Sequence, residues 1–171
     1  NCPERLHADN NDNLIPIGVG WSNYCSEVVR EAQACGDHEL AAYITDWPLP
    51  DELGPVQSQI ITRIDQKIIK PAWLDEQSAH LWAAFVRLRQ QRALYFFEKA
   101  KNDIQKQKQM SARDGIKTSN EAMRLLIRAL RENPEHAMSR RALGYVRHGD
   151  QWVWPNVARQ LAQKKEYSPE E

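Results

Sequence analysis

Apolar residues recur at three- and four-residue steps more clearly in one stretch than anywhere else. They are Leu81, Trp82, Phe85, Val86, Leu88, Ala93, Phe96, Phe97, Ala100 and Ile104. That spacing is the period of an α-helix with a wide buried stripe. The surrounding segment, Leu74 to Met110, contains neither Gly nor Pro. At roughly 1.5 Å per residue the helix it predicts is about 50 Å long, enough for several shorter helices to pack along it. From Lys99 to Met110, lysines and glutamines occupy nearly every side, so the last turns lack a face to bury.

Shorter helices are predicted on either side. Asn23 to Cys35 puts Cys25, Val28, Val29 and Ala32 on one face, and Gly36 stands where a left-handed C-terminal cap belongs. Asp37 then offers a carboxylate to the free N–H groups of a second helix, His38 to Asp46, and so tight a join predicts an antiparallel pair. Trp47-Pro48-Leu49-Pro50 ends it, because proline lacks a donor and biases its predecessor away from helix. Pro55 to Ile69 is expected as a third helix, with Val56, Ile60, Ile64 and Ile68 stepping by four; its β-branched content leaves a strand as the alternative. Leu74-Asp75 supplies an apolar residue and an N-cap for the long helix.

Downstream, Asp114-Gly115 marks a turn, and Thr118-Ser119-Asn120-Glu121 has the spacing of a capping box. The helix that follows, to Glu132, buries Ala122, Leu125, Leu126, Ala129 and Leu130, and Pro134 opens a short helix ending at Gly144. Tyr145-Val146-Arg147 and Gln151-Trp152-Val153-Trp154 flank His148-Gly149-Asp150, the pattern of a small β-hairpin. A lone hairpin is marginal in water, so Tyr145, Trp152 or Trp154 must pack on the helices. Pro155 begins a last helix to Lys165.

The fold class expected is mainly α: an antiparallel helical bundle or repeat-like array around one long helix (75–109), with a small C-terminal β-hairpin (145–154). Three parts follow: an extended N-terminal segment (1–20), a helical domain (21–144), and the hairpin with its terminal helix packed on that domain (145–171).

Composition refines this picture in three ways. Hydrophobic residues at 42%, with six Trp, suffice for a real core. Net charge is zero but uneven: residues 1–75 carry 5 Lys+Arg against 12 Asp+Glu, and residues 76–171 carry 18 against 11. The two halves are therefore suited either to each other or to charged partners. No run of about 18 apolar residues exists, so no membrane span is predicted. The first residue is Asn rather than Met, which suggests a mature or excised product and leaves export open.

Cys2, Cys25 and Cys35 are too few for a disulfide scaffold. If Cys25 and Cys35 share a helix they lie about 15 Å apart, beyond the ~7 Å limit for a bridge. Cys2 can reach either one, and free thiols are the default expectation.

Ala122, Leu126, Ala129 and Pro134, followed by Leu143-Gly144, resemble a tetratricopeptide-repeat junction. Small residues let two helices approach closely, and Pro opens the next one. The likeness spans residues 122–144. Arg140 stands where that family has an aromatic, and no second repeat follows at the family's period. Ala142-Leu143-Gly144-Tyr145 with Gly149 and Trp152 also resembles an ending of uncharacterised, often exported, bacterial proteins. The repeat resemblance implies protein–protein binding and carries over no ligand-contacting residue.

Motifs with chemistry are wanting. His38-Glu39-Leu40-Ala41-Ala42 begins like a zinc-protease helix but has Ala42 at the second ligand position. His7, His80, His136 and His148 lack partners at ligand spacing, and His136, at a helix start, is expected to be solvated. The glycines form no phosphate cradle, and no Gly-x-Ser-x-Gly elbow occurs. Cys25 lacks an adjacent base and reads as an inert helix-face thiol.

Arg124, Arg128 and Arg131 form one helical stripe, and Arg87, Arg89 and Arg92 crowd the middle of the long helix. A basic stripe can bind phosphates, but a pI near 7.1 and the lack of a recognised nucleic-acid-binding fold make an internally paired or solvated face the leading expectation and nucleic acid the lesser one.

The function expected is that of a non-catalytic helical protein–protein interaction or scaffold module without cofactor or metal. The alternatives are a binder of nucleic acid or an acidic partner through Arg124, Arg128 and Arg131, and an accessory domain of a larger enzyme.

Overall fold

The structure, a computed structural model, describes residues 19–47, 67–74, 76–110 and 120–166. Its order is α1 (Val19–Ala34), α2 (His38–Thr45), a 3-10 turn (Glu76–Ser78), α3 (Ala79–Met110), α4 (Asn120–Glu132), α5 (Ala137–Ala142), β1 (Val146–His148), β2 (Gln151–Val153) and α6 (Pro155–Glu166). The chain is thus mainly helical, with one long helix and a small antiparallel hairpin near the C-terminus. Among the described residues no helix is long and apolar enough to cross a membrane.

The α1–α2 join follows from Gly36, whose φ of +81° is open to glycine at little cost. Its N–H donates to Gln33 O (3.0 Å) and that of Asp37 to Ala32 O (2.9 Å), the paired bonds of a Schellman cap. Asp37 Oδ1 then accepts from Leu40 N at 2.9 Å and starts α2. Gly144 repeats the device after α5: φ is +91°, with bonds from Gly144 N to Arg141 O and from Tyr145 N to Arg140 O.

Helix α3 carries two separate apolar clusters along its length. Val28 and Ala32 of α1 and Leu40, Ala41 and Ile44 of α2 pack with Leu74, Leu81, Trp82, Ala84 and Phe85. Further along, Ala93, Phe96, Phe97 and Ala100 pack with Ala122, Leu125, Leu126 and Ala129 of α4. The four alanines have exposures of zero, so α4 lies close against α3.

In the hairpin, Val146 pairs with Val153 and His148 with Gln151, leaving the two-residue turn Gly149-Asp150. Gly149 has φ +57° and no non-glycine residue has positive φ, which makes it a type II′ turn. Trp152 and Tyr145 are buried, and Trp154 stacks on Tyr145 with centroids 4.3 Å apart.

Several boundaries differ from expectation. Helix α1 begins at Val19, inside the stretch expected to be extended. Most of the helix expected over 55–69 lies outside the described residues, and its last three positions, 67–69, are not helical. Asp114-Gly115, Asp75 and Thr118-Ser119 also lie outside them. Helix α5 starts at Ala137 rather than at Pro134, which sits in the preceding turn. The cause is His136, whose side chain caps α5 by accepting from Ser139 N. The end of α3 stays helical to Met110 although Lys101, Asn102, Gln105, Lys106, Lys108 and Gln109 are exposed.

Candidate functional site: a buried arginine–glutamate junction and its groove

Between the two clusters, where α3 would be expected to continue its apolar stripe, stand Arg89 and Arg92, exposed by 4% and 2%. Buried guanidinium groups require compensation. Arg92 Nη2 lies 2.8 Å from Glu132 Oε1, at the C-terminal end of α4. Arg89 Nε is 3.9 Å from Glu132 Oε2, and its Nη2 donates to Arg131 O at 2.8 Å. That carbonyl belongs to the last turn of α4, where no intrahelical donor remains, so Arg89 serves as a cap from a neighbouring helix.

The other face of Arg89 lies 3.8 Å from the centroid of the Trp47 ring, just beyond α2. Trp47 also hydrogen-bonds the Glu132 carboxylate. Burial pushes the Glu132 carboxyl above its ordinary range, while Arg92, Arg89 and Trp47 offset part of that shift. One carboxylate thereby joins α3, α4 and the end of α2.

A groove of about 290 Å³ opens beside this junction. Val29, Ile44, Trp47 and Phe85 form its apolar walls, and Arg92 and Arg30 also line it. Cys25 also lines it. Its thiol is free and half-buried; burial pushes its pKa up, with Arg92 pulling down and Glu132 pushing up. Cys35 is in a disulfide whose other half lies outside the described residues, so the expectation of a free thiol is corrected there. A second cleft of about 350 Å³ lies between the start of α2 and the turn before α3, beside Asp37, His38, Glu39, Trp73 and Ser78.

The stripe singled out in the sequence is placed on α4. Arg124 is exposed, with Glu121 3.9 Å away, and Arg128 and Arg131 are half-exposed. No carboxylate of the described residues pairs with Arg128 or Arg131. The crowded arginines of α3 divide: Arg87 is exposed, and Arg89 and Arg92 are inside.

His80 and His38 are exposed. His136, expected in solvent, is half-buried: its Nδ1 faces the Ser139 hydroxyl at 2.8 Å and Ser139 N at 3.3 Å, and its ring packs on Phe97. Burial lowers its pKa, with Glu98 acting the other way. Among the described residues no three His, Cys, Asp or Glu converge as a metal site.

Sequence reasoning misses the junction although a signal for it exists. Arg89 and Arg92 fall four and seven residues after Phe85, on the stripe itself, and Glu132 falls three after Ala129 on the face that packs against it. No family model, curated protein or solved structure matches the chain.

Proposed function

We propose that the chain is a non-catalytic helical module that presents surfaces to a protein partner. The observation that carries this reading is the use made of the charged groups at the junction. Arg89, Arg92, Glu132 and Trp47 bond to one another and to an α4 carbonyl, and so hold three helices in place. A perturbed carboxyl in such a network has a structural cause, which weighs against a catalytic one. The close α3–α4 pair and the resemblance at 122–144 agree with a repeat-like scaffold. The Cys35 disulfide fits an oxidising compartment and so supports export.

The test is site-directed photo-crosslinking in the source cells, with the crosslinker placed at the exposed apolar positions Leu94, Met123 and Met138. Discrete adducts at one or more of these positions, competed by the untagged chain, are expected. Absence of adducts at all three positions would overturn the reading.

Arg128 and Arg131 support a second reading, an acidic partner or nucleic acid held by the α4 stripe. Purified protein then retains on an immobilised polyanion and elutes earlier when Arg124, Arg128 and Arg131 are changed to Gln. Equal elution of the two proteins removes it.

A further inference from the structure

We infer that the groove between α1, α2 and α3 receives the C-terminal residue of a polypeptide ending in an aromatic or large aliphatic side chain. The inference rests on the protein-binding reading above and assigns it a site.

Charge complementarity is the first argument. The residues lining the groove include two arginines, Arg30 and Arg92, and no Asp or Glu. Arg30 is exposed on α1, and no carboxylate of the described residues pairs with it. A guanidinium presents paired N–H donors that match a carboxylate, and capture of a chain terminus by such donors is a recurring recognition mode. Arg92 is already paired with Glu132, which offsets its charge, so Arg30 is the group assigned to the terminus.

Shape is the second argument. Val29, Ile44, Trp47 and Phe85 supply apolar walls, two of them aromatic rings 6.0 Å apart and nearly perpendicular. A void of about 290 Å³ accommodates one large side chain with its terminal carboxylate, and the rest of the partner leaves through the open side. Arg89 stacks on the Trp47 ring at 3.8 Å, so this wall is held in place before a ligand arrives.

Cys25 provides a reporter inside the groove. The intact, oxidised protein is alkylated with a maleimide at pH 8.5, chosen because burial raises the thiol pKa, and the Cys25 rate is read by mass spectrometry. The probes are an N-acetylated tetrapeptide ending in Phe, the same peptide as its C-terminal amide, and phenylacetate.

The expected result is saturable protection by the free acid and at least fivefold weaker protection by the amide. Arg30→Gln, a surface change that leaves the core intact, is expected to weaken protection about tenfold, as loss of one charge-assisted hydrogen bond implies. Arg30→Lys is expected to recover part of it.

No protection by any probe overturns the site. Equal protection by acid and amide overturns recognition of the terminus. Protection by phenylacetate as strong as by the peptide overturns the polypeptide source in favour of a small carboxylate. If crosslinks still form at Leu94, Met123 or Met138, any of these failures falls on the groove alone and leaves the protein-binding reading standing.

Discussion

Glu132→Ala is the sharpest test of how the helices are held. The carboxylate it removes lies 2.8 Å from Arg92, with both side chains exposed by 4% or less. It takes the counter-charge from the buried Arg92 and frees the Trp47 bond. Breaking a buried pair from one side costs about 3–5 kcal/mol. For a chain of this size that is a loss of roughly 10 °C in melting temperature. Glu132→Gln also removes the charge but still offers Arg92 an oxygen, so it is expected to cost less than Glu132→Ala, about 2 kcal/mol. Arg92→Met with Glu132→Leu removes the closer pair but leaves Arg89, which keeps its bond to Arg131 O, so it is expected to recover about half of the Glu132→Ala loss. Urea denaturation followed by tryptophan fluorescence measures all three, with the slope checked for constancy. A cost of under about 1 kcal/mol for Glu132→Ala, well below the range for a broken buried pair, refutes the pairing as a source of stability. So does a double variant no better than the single one.

Other expectations concern single positions. His136 caps α5 through a neutral Nδ1, and burial lowers its pKa, so its contribution of about 1 kcal/mol is complete above the ordinary histidine value. The contribution fades as pH falls from about 6.5 toward the lower folded value, and His136→Ala should flatten the difference in urea midpoint between pH 7.5 and pH 5. Gly144→Ala meets only the Trp154 ring at 3.6 Å, an ordinary contact, so its cost of about 1 kcal/mol is that of a left-handed backbone and should appear as a small drop in melting temperature. Leu126→Ala, at a fully buried site, is expected to cost about 2–5 kcal/mol in urea denaturation. Leu94→Ala, 42% exposed, should stay within about 0.5 kcal/mol in the same assay.

Most of the fold was legible because its signals are local. Gly36 and Asp37 announce the α1–α2 corner, Gly149 the hairpin turn, and the stepped apolar residues of α3 and α4 their buried faces. Boundaries differ where a side chain takes an unexpected job, as when His136 replaces Pro134 as the start of α5. The site was less legible. Arg89 and Arg92 read as either internally paired or solvated, and nothing local names the partner, which stands about forty residues away on another helix. Only pairing the stripe of α3 with that of α4 reveals that opposite charges meet inside. Arg30 and Trp47 belong to different helical elements, and no local pattern brings them to one groove.

The seam between α3 and α4 has a property that its contacts alone do not express. Its alanines and leucines recur every three or four residues, so one turn of either helix resembles the next, and a slide by a full turn would still match grease to grease. Only one alignment lets Glu132 meet Arg92 and Arg89 together while Arg89 caps the end of α4. After such a slip at most one of these two arginines, a turn apart on α3, would face the acid, and the other would be stranded. The ionic contact thus acts as a key cut for a single alignment, choosing among packings that the apolar residues cannot tell apart.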